Sequence, residues 1–225
     1  MNKKLYNNSL SLVMFGLFLV CLVGQTFAGF HVYNDDQEDH HQPQIGLVKY
    51  LGSGHFIEAV FENWESEFLQ MGSFVVLTIF LYQKGSSESK KKEEEKTEAD
   101  KAKDNEPKDP KRAPWPVRRG GLALKLYENS LSLALFALFF ATFALHVVGG
   151  AMTYNEEQRA HHQPTVSPIG YLGTSQLWFE SFQNWQSEFL SVGALAVLSI
   201  FLRQKGSPES KRVDAANDET AEDEE

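Results

Sequence analysis

The sequence predicts an all-α integral membrane protein in which four transmembrane helices come from two parallel tandem two-helix repeats. Three observations predict this fold: an internal duplication, four windows that are almost free of charge, and basic residues concentrated on one side of those windows. The 225 residues include 42% hydrophobic and 23% charged residues, and the formal net charge is -9. A soluble domain spreads its apolar residues through periodic patterns, whereas this chain concentrates them in blocks.

The internal duplication organises the whole chain. The motif LYNNSLSL, which begins at Leu5, returns as LYENSLSL at Leu126, and the register then holds without a gap through HHQP, NWxSEFL and QKGS. We therefore divide the chain into a first membrane repeat, a charged linker, a second membrane repeat and an acidic disordered tail, which cover residues 1–90, 91–125, 126–211 and 212–225.

Each repeat contains a long and a short apolar window. The long windows run from Leu10 to Phe30 and from Leu131 to Met152, and each could cross a hydrocarbon core of about 30 Å. The short windows, Phe68 to Tyr82 and Phe189 to Leu202, span only if the amphipathic turns before them continue the same helix. The first window also resembles a secretory signal. Because its copy lies deep inside the chain, we expect both to be retained helices.

The distribution of Lys and Arg predicts the orientation of the helices. Of the 21 basic residues, the loops inside the repeats carry one each, Lys49 and Arg159, and the others lie in the N-terminus, the linker and the tail. We therefore expect a multi-pass protein with both termini and the linker in the cytoplasm and the two loops outside. Since both repeats then insert the same way up, their pseudo-twofold axis should lie along the membrane normal.

The NWxSEFL motif is the most informative polar cluster. Asn63 and Glu67 are four residues apart and share one helix face, as do Asn184 and Glu188 in the second copy. A carboxylate near the outer membrane boundary is costly unless it is paired, hydrated or turned into the bundle. These residues therefore form either an ion or proton site where the repeats meet, or an interhelical polar contact that fixes helix position.

Other ionisable residues near this motif differ between the copies. Glu58 and Glu65 are not repeated, so we expect Glu67→Leu to be more damaging than the same change at either of them. His146 lies inside an apolar window, where an ionisable residue is a functional candidate. Its counterpart is Gln25, which weakens that case.

A histidine pair follows the first long helix of each repeat, as His40 and His41 and again as His161 and His162. Such pairs near carboxylates can sense pH or bind zinc, which makes this loop a candidate pH- or metal-responsive site. Adjacent helical residues, however, point about 100° apart, and the repeats share no third histidine. The alternative is that the histidine pairs bind nothing and simply mark the end of a helix at a polar surface. We predict no bound metal and no other cofactor.

Several classes of protein are excluded or disfavoured. We find no nucleotide-binding loop, nucleophile elbow, haem-ligand pair or zinc-protease helix, so we expect no enzyme. A pI near 5.3 argues against nucleic-acid binding. The single cysteine, Cys21, excludes an intramolecular disulfide framework. The lipid bilayer is the partner that the sequence indicates. A homo-oligomer is compatible with it, and no particular protein partner is indicated.

The motifs LYENSLSLALFALFF, YNEEQ, HHQP, NWxSEFL and FLRQKGSPESK resemble those of a family of small bacterial integral membrane proteins of uncharacterised function. This resemblance covers nearly all of both repeats, as if two family units were joined in tandem. It implies a place in the bacterial inner membrane and no particular activity. We therefore expect a non-enzymatic structural or accessory membrane component. The alternative is a small ion or proton channel or transporter that uses the shared acidic residues near the outer face.

Overall fold

A computed structural model describes residues 3–83 and 113–216 of the chain. Within these ranges the protein is all-helical and contains no β-strand. The predicted charged linker lies outside the described residues for positions 91–112, and the predicted acidic tail lies outside them from position 217 onward.

The long helices of the two repeats have the same lengths. Before the linker the chain forms α1 (Lys3–Asn7), α2 (Ser9–Asp39), α3 (Leu47–Tyr50) and α4 (Gly54–Phe80), and after it α5 (Trp115–Arg119), α6 (Gly121–Glu128), α7 (Ser130–Ala160), α8 (Pro168–Tyr171) and α9 (Ser175–Phe201). Helices α2 and α7 have 31 residues each, and α4 and α9 have 27 each. Helix α5 and part of α6 occupy positions that the sequence assigned to the linker.

Two helices in the described part of the chain, α2 and α7, are long and apolar enough to cross a membrane. They contain the two long apolar windows predicted from the sequence. None of the apolar window of α2 is buried, and only 17% of that of α7 is. Large side chains of α2 such as Leu10, Phe15 and Val20 are more than half exposed. Apolar surface of this extent is unfavourable in water, so these helices indicate association with a membrane.

The chain divides into two compact units. The first comprises Met1–Glu62 and Phe143–Trp178, and the second comprises Asn63–Thr142 and Phe179–Glu225. Helices α4, α7 and α9 therefore contribute one part to each unit.

Glycines allow α4 and α7 to cross closely in the first unit. A Cβ atom at Gly149 would lie 2.5 Å from the backbone nitrogen of Glu58, and one at Gly54 would lie 2.6 Å from the Cβ of Met152. Helices approach this closely where a glycine on one of them leaves room for the neighbouring chain. Beside this crossing, a small core is formed by buried Val147, Ala151, Tyr171 and Leu177.

An asparagine holds the loop that follows the long helix of each repeat. The Asn34 amide donates to the carbonyl of Ile45 at 3.1 Å and accepts from the amide of Ile45 at 2.8 Å. Asn155 makes the same two hydrogen bonds with Val166, both at 2.8 Å. Because each asparagine satisfies a donor and an acceptor of one loop residue, it fixes where the chain turns back toward the next long helix.

Candidate functional site

The histidine pairs lie at the ends of α2 and α7, and all four imidazole rings are exposed. The second histidine of each pair has a positive φ, 56° at His41 and 55° at His162. This left-handed residue lets the next amide reach back into the helix, so that the Gln42 nitrogen lies 2.7 Å from the carbonyl oxygen of Gln37. His40 faces its own helix, with Nδ1 2.9 Å from the carbonyl oxygen of Asp36. Both pairs thus have the geometry of a helix end.

The two repeated glutamates of the NWxSEFL motifs both lie in the second unit. Glu67 is exposed and Glu188 is partly buried, and their charges are close enough to interact. Asn63 is exposed and Asn184 partly buried, one turn before them on the same helices. Two carboxylates in this relation repel each other when both are ionised, and a proton or a cation between them relieves the repulsion.

A carboxylate that the repeat comparison set aside is buried in the same unit. Glu65 has no exposed surface, and its Oε1 accepts a hydrogen bond of 3.2 Å from the hydroxyl of Ser181, which is also fully buried. Sequence comparison missed Glu65 because the second copy has Gln186 there. Its position could have been inferred from helical spacing, since it lies four residues after Phe61 on an apolar face.

A second buried ionisable side chain, His146, lies on α7 in the first unit. One of its ring nitrogens lies within 4.8 Å of a carboxylate oxygen of Glu58 on α4. The counterpart of His146 is Gln25, whose amide donates to the carbonyl of Ala59 at 3.2 Å. Both positions thus contact the same turn of α4 with a polar group, although the residue types differ.

A cluster of aromatic and polar side chains around His55 also belongs to the first unit. The Tyr50 hydroxyl lies 3.2 Å from Nδ1 of His55, and Tyr50 is almost completely buried. The Tyr33 ring packs against both of them, with centroids 5.7 Å and 5.6 Å away. Its hydroxyl donates to Oε2 of Glu156 at 3.3 Å and accepts from the amide of Gln37 at 3.3 Å. This network joins α2, α4 and α7.

Burial lowers the pKa of His55 below its usual value, and the negative charges of Asp36 and Glu156 oppose part of this effect. The repeats share no third histidine because the second copy has Gln176 at the position of His55. In that copy Tyr154 and Tyr171 still stack, at 5.6 Å. The aromatic packing therefore does not depend on the histidine.

We predict that His55→Gln reduces the loss of stability in acid. Because the folded state holds His55 with a lowered pKa, the unfolded chain binds more protons as the pH falls through the usual histidine range near about 6.5. This contribution to stability is present above that range and is lost below it. Melting temperatures in detergent between about pH 7.5 and pH 5 should fall less for His55→Gln than for the wild type.

The exposed His161→Gln is the matched control. Identical pH profiles for His55→Gln and the wild type would contradict the assignment.

Together, the helical fold and the exposed apolar helices define a membrane-associated helical protein. The chain belongs to the family described as DUF6766, a domain of unknown function, whose family model matches residues 1–222 and thus runs through both repeats and the linker. Comparisons with curated proteins and with solved structures find no match.

Proposed function

We propose that this protein is a multi-pass component of a bacterial inner membrane whose helices α2, α4, α7 and α9 form a four-helix bundle with a structural or accessory role and no enzymatic activity. The observation that carries the proposal is the exposure of the entire apolar window of α2. A core helix of a soluble protein would bury that window. A secretory signal here would be cleaved after Ala28, and the close packing of the next residue, Gly29, against Tyr50 supports a retained helix instead.

The less apolar helices α4 and α9 complete the proposed bundle. Each has 27 residues, which corresponds to about 40 Å and exceeds the hydrocarbon thickness. We place their spans in the C-terminal part of each helix, from about Phe61 and Phe182 onward. Large apolar side chains are exposed there, including Ile79, Phe80, Leu198 and Phe201. The equal lengths of α2 and α7 and of α4 and α9 support two tandem repeats inserted the same way up.

Fusions with topology reporters test this arrangement. We expect fusions after Asp100 and after Glu225 to report a cytoplasmic position, because the linker and the C-terminus carry the basic residues. Fusions near Gln44 and Thr165 should report a periplasmic position. An intact-mass measurement should also find the whole chain. Cleavage at Gly29, or a cytoplasmic position for either loop, would contradict the four-helix topology.

A second candidate function is a small ion or proton channel or transporter. The interaction between the charges of Glu67 and Glu188 favours it, because paired carboxylates near the outer face would attract and share a cation or a proton. The structural role requires no flux, so a transport measurement separates the two candidates.

We predict that, if this second function is correct, protein reconstituted in liposomes carries cation or proton flux that the double variant Glu67→Gln/Glu188→Gln reduces by at least about tenfold, because both charges that attract the ion are removed. Dye-based measurements of internal pH and of cation uptake would detect it. The exposed carboxylate of Glu128 provides a control, since Glu128→Gln removes the same charge elsewhere. If flux is absent, or if the double variant carries as much flux as the wild type, the transport function is contradicted and the structural role is favoured.

A further inference from the structure

The segment before the second repeat forms a helical elbow that we define as residues 113–128. Helix α5 packs against α6, and the two are joined by Gly120 and Gly121, which both have positive φ values, 69° and 62°. A Cβ atom at either glycine would meet nothing within 4 Å. The glycines are therefore needed for the backbone conformation that folds α5 onto α6, and not for space.

The surface of the elbow is both apolar and basic. The side chains of Trp115, Val117 and Leu122 are 55%, 43% and 73% exposed. Arg118, Arg119 and Lys125 supply three positive charges, and the single acidic residue of the elbow is Glu128 at its last position. This is unusual in a chain whose net charge is -9 and whose preceding linker mixes lysine with glutamate.

Arg119 makes a cation–π contact with the ring of Trp115. The guanidinium carbon of Arg119 lies 4.9 Å from the centroid of the Trp115 ring. A guanidinium held over a ring keeps the N–H groups at its edge available, and these match the oxygens of a phosphate in a bidentate geometry. Tryptophan side chains are enriched at the interface between the hydrocarbon core of a membrane and water.

We propose that the α5–α6 elbow binds the headgroups of anionic phospholipids in the inner leaflet. Helix α7 begins at Ser130, two residues after the elbow ends. In the proposed topology, on which this inference rests, the elbow therefore lies at the cytoplasmic end of α7. A lipid fits both features of the surface, because its phosphate pairs with Arg118 and Arg119 while its glycerol and upper acyl region accept Trp115 and Leu122. A free phosphate or a nucleic acid would use the charges and leave the apolar side chains in water.

Tryptophan quenching by brominated lipids tests the proposal on the full-length protein. The protein is reconstituted in vesicles that contain equal parts of phosphatidylglycerol and phosphatidylcholine, with either one brominated. The signal of Trp115 is the difference between the wild type and Trp115→Phe. We expect brominated phosphatidylglycerol to quench Trp115 more strongly than brominated phosphatidylcholine, and the apparent preference to fall about fivefold for each arginine changed to glutamine. High salt should weaken the preference.

The control and the remaining outcomes separate this inference from the topology on which it rests. Lys49→Gln removes one positive charge from the segment that the proposed topology places outside, and it should leave the preference unchanged. Equal quenching by the two lipids, or a preference that survives Arg118→Gln/Arg119→Gln, would overturn the headgroup site although the bundle is inserted. Failure of membrane insertion, on which the proposed topology depends, would instead appear as extraction of the protein by carbonate, with no quenching of the tryptophans that Trp115→Phe retains.

Discussion

Gly149→Leu should lower the melting temperature of the purified protein more than any other single change at a helix crossing of the first unit. The first atom of a new side chain would lie 2.5 Å from the backbone nitrogen of Glu58 and 2.8 Å from Cγ2 of Ile57. Because the closest of these atoms is backbone, it cannot rotate away, and α4 and α7 would have to separate. We expect a loss of about 3 kcal/mol or more in the free energy of unfolding.

A smaller substitution at Gly149 and the same substitution at Gly24 test whether the loss of stability comes from the helix crossing. Gly149→Ala introduces only the clashing Cβ and should be less harmful than Gly149→Leu. Gly24→Leu places the same side chain on α2 at a position where a Cβ meets nothing within 4 Å, and it should be nearly neutral. Thermal unfolding in detergent, with size-exclusion chromatography to follow aggregation, measures both. Equal losses for Gly149→Leu and Gly24→Leu would show that α4 and α7 do not cross as described.

The sequence predicted the helical elements well because their signal is local. Twenty or so consecutive apolar residues are sufficient to define a membrane-length helix, and α2 and α7 contain the windows expected from Leu10 and from Leu131. The glycine crossing was not predicted. Its residues Gly54 and Gly149 have Ser175 and Ala28 as counterparts, so a comparison of repeats gives no reason to select them. Only the packing of α4 on α7 makes the missing side chains necessary.

The candidate sites were predicted less completely for a related physical reason. Residues kept in both repeats identify what the repeats have in common, such as the helix ends at His41 and His162 and the neighbouring charges of Glu67 and Glu188. The two copies nevertheless have different surroundings, since the apolar window of α7 is partly buried and that of α2 is not. Side chains buried in one copy alone therefore escape the comparison, and fully buried Glu65, whose counterpart Gln186 is exposed, is an example.

Ser181→Ala should destabilise the second unit, because it removes a hydroxyl donor from a carboxylate that has no exposed surface. The hydrogen bond from Ser181 to Oε1 of Glu65 is 3.2 Å long, and both side chains are fully buried. Loss of a buried hydrogen bond that leaves its acceptor without this donor costs about 1–3 kcal/mol. Ser187→Ala, at an exposed position of the same helix, is the matched control and should cost much less.

A double-mutant cycle with Glu65→Gln shows whether this loss comes from the pair itself. Ser181→Ala should cost less in the Glu65→Gln background than in the wild type, with a coupling energy of about 1 kcal/mol, because Glu65→Gln already replaces the acceptor of this hydrogen bond. Glu67→Gln makes the same chemical change two residues away, at an exposed position, and should show no coupling to Ser181→Ala. This ranking reverses the one expected from the repeats, in which Glu67 mattered more than Glu65. If Glu67→Gln instead proves the more destabilising, and Glu65→Gln does not couple to Ser181→Ala, the shared residue rather than the buried one holds the helices together. The same variants in liposomes then assign the roles: Glu65→Gln should alter stability alone, whereas any flux should respond to Glu67 and Glu188.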